Sequence, residues 1–251
     1  INDYVRELHE FDQPFHKPQP HTKFHHNLFV YPVEFNNGNG KVKGKNIACR
    51  VYLMENDKAD PETSAMTNMY GKSSAKELQK SYVSVLSAGN NHPTFYDEVK
   101  VKLPQRLTAE HHLLFQFVNV NPKPVLDTKA KSASEPVETI IGYSVVHLLQ
   151  DGKFVKDGLV NLPINYPPSG DFESYVEKAI PFDKEKITLS VRFRLASSLW
   201  THDDSLTSYL SSIKDAGKKV KNFGYLEHLK SVANVPLINF FPVVLNELIA
   251  S

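Results

Sequence analysis

The chain has 251 residues, and its 29 Lys and Arg against 28 Asp and Glu leave a net charge of +1. That balance excludes a global field drawing the whole molecule to nucleic acid or membrane, so any electrostatic partner must be held by a local patch. Hydrophobic content of 41% and charged content of 23% are ordinary for a globular protein, and a single cysteine, Cys49, excludes an internal disulfide and points to a reducing, cytoplasmic compartment.

No apolar run is long enough to span a bilayer and no signal peptide is present. The first residue is Ile1 rather than Met, so the chain is expected to be cut from a longer protein. Residues 1–23 hold Phe11, Phe15, prolines and histidines without period and are predicted to be an extended segment.

From Phe24 to Met54 the sequence reads strand, loop, strand. Leu28, Val30 and Pro32 alternate with Asn27, Phe29 and Tyr31, and Ile47, Cys49, Val51 and Leu53 alternate with Ala48, Arg50 and Tyr52. The intervening loop carries Gly38, Gly40 and Gly44 with Lys41, Lys43 and Lys45, and no acidic residue. Residues 55–69 are polar and read as a loop. Strands are then predicted around Tyr82–Leu86, over Phe95–Leu103, over His111–Val120, over Thr139–Leu149, over Val160–Ile164 and over Ile187–Leu199. Turn chemistry separates them at residues 88–93, and Asp151-Gly152 signals a hairpin. Residues 165–182 are a Pro- and Gly-containing insert. About eight short strands in series predict a mainly β protein, an antiparallel sandwich over residues 24–199.

After Trp200 the period changes. Leu206, Tyr209, Leu210 and Ile213 recur at helical spacing behind Thr201 or Asp203 as a cap, and Tyr225–Val232 and Leu237–Ile249 also read as helices. The apolar stretch 236–251 is expected to pack against residues 206–232 or a neighbouring molecule.

Successive loops of a sandwich alternate between its ends. Counting from the first hairpin, the loops at residues 36–45, 88–93 and 121–138 should meet. They would gather Lys41, Lys43, Lys45, His92, Lys123, Lys129 and Lys131 against Asp127 and Glu135. The loop at residues 55–64, with Glu55, Asp57, Asp60 and Glu62, falls at the other end.

Several strings resemble one family. They are Phe24 with Leu28-Phe29-Val30-Tyr31-Pro32, Lys45-Asn46-Ile47, Tyr70-Gly71-Lys72-Ser73, His92-Pro93-Thr94-Phe95-Tyr96-Asp97-Glu98, His111-His112-Leu113-Leu114-Phe115, and Val137-Glu138-Thr139 with Gly142-Tyr143. In this order they are similar to the DOCK homology region 1 domain, in its zizimin-like branch, over residues 24–199. The sequence departs from that pattern at Ile140-Ile141, where Pro-Val is more usual. The resemblance implies a C2-type β-sandwich that binds phosphoinositide headgroups and brings a Rho-family guanine nucleotide exchange factor to membrane. It implies that the Rho-family GTPase meets a separate domain of the parent protein, and that residues 200–251 begin an armadillo-like helical region.

Each candidate also has a plain structural reading. The basic loop can be a solvated hairpin. Tyr70-Gly71-Lys72-Ser73 lacks the earlier glycine of a phosphate loop, since Met66 stands there. His25-His26 and His111-His112 are adjacent on strands and point to opposite faces, so neither pair chelates one ion. The lysine-bearing loops offer Asp127 and Glu135 alone as carboxylates, too few for calcium. No Gly-x-Ser-x-Gly is present and no constellation argues for catalysis or nucleic-acid readout. The expectation is a calcium-independent, non-enzymatic module without metal or cofactor, cytoplasmic and peripheral on membranes. The alternative from another class is a protein-interaction scaffold.

Overall fold

Alternating apolar residues give each strand one buried side, and two sheets built from such strands close on each other. The computed structural model describes residues 25–38, 40–72, 75–121, 136–150, 153–168, 170, 172–215 and 226–250. The segment expected to be extended over residues 1–23 and the Asp151-Gly152 turn lie outside these.

In chain order the strands are β1 (His26–Asn36), β2 (Ile47–Met54), β3 (Met69–Tyr70), β4 (Leu78–Gln79), β5 (Ser81–Val83), β6 (Val99–Lys102), β7 (His112–Val120), β8 (Glu138–His147), β9 (Leu149–Gln150), β10 (Lys153–Phe154), β11 (Gly158–Pro163) and β12 (Thr188–Ser197). A six-stranded sheet has the order β11-β12-β1-β6-β3-β4, and a four-stranded sheet has the order β5-β2-β7-β8. All of these pairings are antiparallel, as is the small β9–β10 ribbon. The mainly β, antiparallel sandwich expected from the sequence is the observed architecture. Its strands outnumber the expected eight because β3, β4, β9 and β10 are two-residue pieces, too short to show a period.

The inner faces form one core. Leu28 and Val30 of β1, Val99 and Val101 of β6 and Leu189, Val191 and Phe193 of β12 meet Cys49, Val51 and Leu53 of β2 and Leu113, Phe115 and Phe117 of β7. Phe35 packs edge-on to Phe117 with ring centroids 4.7 Å apart. Each such side chain contributes about 1.5–3 kcal/mol by leaving water. Cys49 is fully buried, and burial pushes its thiol well above the ordinary range. It is a core hydrophobe, as its place in the alternation implies.

Two local readings are corrected and a third is filled in. Residues 55–69 contain a short helix, α1 (Pro61–Ser64), because Asp60 caps it by accepting from Glu62 N at 2.8 Å and Pro61 fits its first position. The strand expected from Phe95 begins only at Val99. The Asp97 carboxylate is drawn to Tyr82 Oη and Val85 N, each at 3.1 Å, and residues 96–98 lie outside the ladder, while Phe95 N still donates to Val33 O at 2.8 Å. The insert at 165–182 is no bare loop. Phe172 and Tyr175 cover Tyr52, Met54, Leu114 and Tyr143 on the outer face of the four-stranded sheet, forming a second small core. Gly142 permits this crossing, since a Cβ there would lie 2.9 Å from Ile164 Cγ2 and 3.1 Å from Asn165 O.

A second compact unit takes up the chain from Asp203. It holds α2 (Asp204–Asp215), α3 (Leu226–Lys230) and α4 (Asn234–Ala250). Asp203 caps α2 by accepting from Leu206 N at 2.8 Å. Phe240 and Val244 of α4 pack on Leu206, Tyr209 and Val232, whereas Ile238, Phe241 and Ile249 stay exposed. The apolar stretch is therefore only half used inside this unit.

His26, His111 and His112 are structural. His26 Nδ1 lies 2.8 Å from Ser197 Oγ, His111 Nδ1 lies 2.7 Å from Thr108 Oγ1, and His112 Nε2 meets the Tyr175 hydroxyl. Burial lowers the His26 pKa from 6.5 to about 4 and lowers those of His111 and His112 as well. The unfolded chain takes up these protons nearer the ordinary value, so stability is complete above about pH 6.5 and is lost as pH falls towards 4. Thermal melts should show a lower Tm at pH 5 than at pH 7.5, and His26→Gln should narrow that difference. Equal Tm at both pH values would contradict the assignment.

Candidate anion-binding site at the loop end

β1 and β7 finish, and β2 and β12 begin, at one end of the sandwich, because Asn36 pairs with Thr188 and Ile47 with Asn119. Three loops are stitched together there. The Asn119 side-chain oxygen accepts from Lys45 N at 3.0 Å and from Asn46 N at 3.2 Å. Asn46 donates through Nδ2 to Val120 O at 3.1 Å, and its Oδ1 accepts from Gly89 N at 3.0 Å. Asn90 N donates to Lys45 O at 2.9 Å. The described ends of the loops at 36–45, 88–93 and 121–138 therefore meet.

The basic loop is held from inside. Val42 is buried in the main core, and Asn37 clamps it, donating from Nδ2 to Val42 O at 2.8 Å and accepting at Oδ1 from Val42 N at 3.0 Å. Gly40 N closes a turn on Asn37 O at 2.9 Å. With Val42 pointing inward, Lys41 and Lys43 are exposed on either side of it, and Lys45 follows in the same register. Among the described residues none of these three lysines is in an ion pair or a side-chain hydrogen bond.

Gly38 has φ +48°, and a Cβ there would lie 2.6 Å from Lys186 O. This close approach brings the turn before β12 to the same end, with Lys184 and Lys186 exposed. Sequence reading missed both. They fell between an insert and a strand, although a strand pairing antiparallel with β1 must begin where β1 ends. Asp183 is occupied in that turn, its Oδ1 accepting from Glu185 N and Lys186 N.

His92 is half-buried, and its Nδ1 accepts from Asn37 N at 3.2 Å. It thus joins the second loop to the basic one. Lys123, Lys129 and Lys131 lie outside the described residues.

At the opposite end three carboxylates are engaged. Asp60 caps α1, Glu62 pairs with Arg50 at 3.1 Å, and Asp57 Oδ2 accepts from Val176 N at 3.2 Å. Arg50 also reaches the other way, pairing at 2.9 Å with Glu138, the register partner of Val120 at the lysine-bearing end. Among the described residues no group of three or more His, Cys, Asp or Glu is placed to hold a metal ion. Nor does a helix follow Tyr70-Gly71-Lys72 among them. The next described element is β4, so a phosphate-loop reading has no helix N-terminus to use. No helix among the described residues is long and apolar enough to cross a membrane.

The arrangement is thus a set of exposed cations on a clamped, glycine-bearing scaffold. A family model described as the C2 domain in Dock180 and Zizimin proteins matches residues 21–205. Dedicator of cytokinesis protein 11 of Danio rerio is 29% identical over 264 residues, covering 99% of this chain and 12% of that protein. Dedicator of cytokinesis protein 7 of Mus musculus is 31% identical over 200 residues, 77% of this chain and 9% of that protein. Dedicator of cytokinesis protein 9 of Homo sapiens is 27% identical over 248 residues, 92% and 12%. The chain therefore spans about a tenth of the length of these relatives. Among solved structures, a C2 domain of plant Extended Synaptotagmin 1 aligns with a TM-score of 0.39 and 13% identity, over 70% of this chain and 97% of that one. With the family model covering most of the chain, and relatives matching it along nearly its full length, the chain belongs to the C2 domain family of Dock180 and Zizimin proteins.

Proposed function

We propose that this C2 domain binds phosphoinositide headgroups at its lysine-bearing loop end, without calcium, and thereby brings a Rho-family guanine nucleotide exchange factor to membrane. The carrying observation is the clamped loop, which presents Lys41, Lys43 and Lys45 outward with no carboxylate partner among the described residues. Lysine ammoniums suit a multiply charged phosphate as point charges, and glycines let backbone amides approach it. Because Asn37, Asn46 and Asn119 already order the loops, little ordering cost is left for binding. Lys184 and Lys186 stand at the same end, their charge balanced along that segment by Asp183 and exposed Glu185, and His92 Nε2 and the lysines of residues 121–138 complete the set. Exchange activity, and contact with the GTPase, belong to another region of the parent protein, and residues 200–251 begin its armadillo-like helical region.

The protein-interaction scaffold keeps one observation in its favour. Val85, Leu86 and Tyr96 are exposed around a cleft of about 330 Å³ with Thr94 and Asp97, a surface apolar enough to take a protein side chain.

Each basic residue near an anionic surface contributes about 1 kcal/mol, so three contribute about a hundredfold in affinity. Vesicle sedimentation with the Lys41→Ala, Lys43→Ala, Lys45→Ala variant should show loss of the phosphoinositide-dependent part of binding with Tm nearly unchanged. Lys58→Ala, at the opposite end, should bind as the parent does. At equal total vesicle charge, phosphoinositide should bind better than phosphatidylserine, and a calcium chelator should change nothing. A triple variant that binds like the parent favours the scaffold.

Gly38→Ala tests the clamp. It forces a Cβ into Lys186 O at a backbone angle that costs an L-residue about 1 kcal/mol or more. Headgroup affinity should fall several-fold although no charge is removed. Unchanged affinity would show that loop geometry is irrelevant.

A further inference from the structure

The outer faces of the two sheets differ. That of the four-stranded sheet is covered by Phe172 and Tyr175. On the six-stranded sheet no described segment plays that part, and the outward positions follow from the register. Phe29 lies between Lys100 and Arg194, Tyr31 pairs with Arg192, and Asn27 lies between Lys102 and Ala196. Arg192, Arg194 and Lys102 are exposed. Lys100 is half-buried, its ammonium 4.5 Å from the Tyr70 ring centroid and 5.6 Å from that of Phe29. Beyond Tyr70, exposed Lys72 and Lys76 edge a shallow cavity of about 270 Å³. Leu159, the neighbour of Arg192 on β11, is 57% exposed.

Few carboxylates answer these charges. Glu98 accepts from Tyr31 Oη at 2.7 Å, Asp157 accepts from Leu195 N at 2.7 Å, Glu34 lies one step further along β1, and Glu77 stands beside Lys76. Among the described residues none of Lys100, Lys102, Arg192 and Arg194 is in an ion pair.

Neighbouring strands lie about 4.8 Å apart and alternate residues about 7 Å apart, so the four cations form a flat array spaced by roughly 7–10 Å. The cavity beside Tyr70 takes in Lys102 but none of Lys100, Arg192 and Arg194. The array matches a layer of separate charges better than one clustered headgroup. Phe29, Tyr31 and Tyr70 stand at the same level, and aromatic rings favour the boundary between headgroups and hydrocarbon.

We infer that the outer face of the six-stranded sheet is a second contact site for an anionic bilayer surface, carried by Lys100, Lys102, Arg192 and Arg194, independent of the lysine loops. It rests on the membrane reading above, but its ligand is the general charge of the leaflet rather than one headgroup. The loops then supply selectivity and the sheet face supplies adhesion.

The test uses vesicles of phosphatidylcholine alone, with phosphatidylserine, and with phosphatidylserine plus phosphoinositide. The Lys102→Ala, Arg192→Ala, Arg194→Ala variant should bind phosphatidylserine vesicles roughly a hundredfold more weakly and keep its preference for phosphoinositide. Arg192→Lys with Arg194→Lys should bind like the parent, which separates lost charge from lost folding. The loop variant should do the reverse, losing the preference while still binding phosphatidylserine vesicles in a salt-dependent way. Parent-like binding by the sheet variant overturns the inference and leaves an acidic protein surface as the occupant of this face. Loss of phosphatidylserine binding in the loop variant overturns it too. If the loop variant keeps full phosphoinositide preference, the headgroup reading alone fails.

Discussion

Two asparagine side chains decide where the loops of this sandwich go. Asn119 accepts from the backbone of Lys45 and Asn46, and Asn46 binds Val120 on one side and Gly89 on the other. Each bond nets only about 1 kcal/mol, but together they fix segments distant in sequence in one arrangement. Asn37 does the same within the basic loop, holding Val42 in the core. Lysines on a free hairpin would have to be ordered by their ligand. Here the neutral amides have ordered the backbone already, and the lysine side chains are exposed with no ion pair among the described residues.

The sandwich explains why charge can be partitioned in a chain of net charge +1. Carboxylates at one end are spent on a helix cap, on Arg50 and on the backbone of the covering segment. Lysines at the other end have no such duties. The sheets are partitioned likewise. One outer face carries an apolar patch that takes its cover from Phe172 and Tyr175, and the other alternates aromatic residues with cations. A period of two thus writes two surfaces into each strand, and β1, with Leu28 and Val30 inward and Phe29 and Tyr31 outward, belongs to both core and exterior.

The long strands were legible because each turns one alternating face into the main core. Cys49, Val51 and Leu53 of β2 and Leu189, Val191 and Phe193 of β12 show the alternation that the core demands. The convergence of the loops survived an imperfect strand count because β3 and β4 form an added antiparallel pair, which leaves the parity of later loops unchanged. Pieces of two or three residues carry no period, so they were invisible. The helix at Pro61 was missed although Asp60-Pro61 is a cap followed by a first-turn proline. Lys184 and Lys186 were missed because their place depends on β12 pairing with β1, a contact between residues far apart in sequence. The sheet-face cations were missed for the same reason. Arg192 and Arg194 alternate plainly, but which strands flank them is a property of topology.

The central claim is that the end built from Asn37, Asn46 and Asn119 receives a phosphorylated headgroup. Backbone amide spectra of the isotopically labelled chain, titrated with a soluble inositol polyphosphate, test it most directly. The account predicts saturable shifts at residues 38–46, 88–92 and 184–187, with residues 55–64 at the opposite end unmoved. Saturable shifts confined to other regions, or none at millimolar ligand, would contradict it.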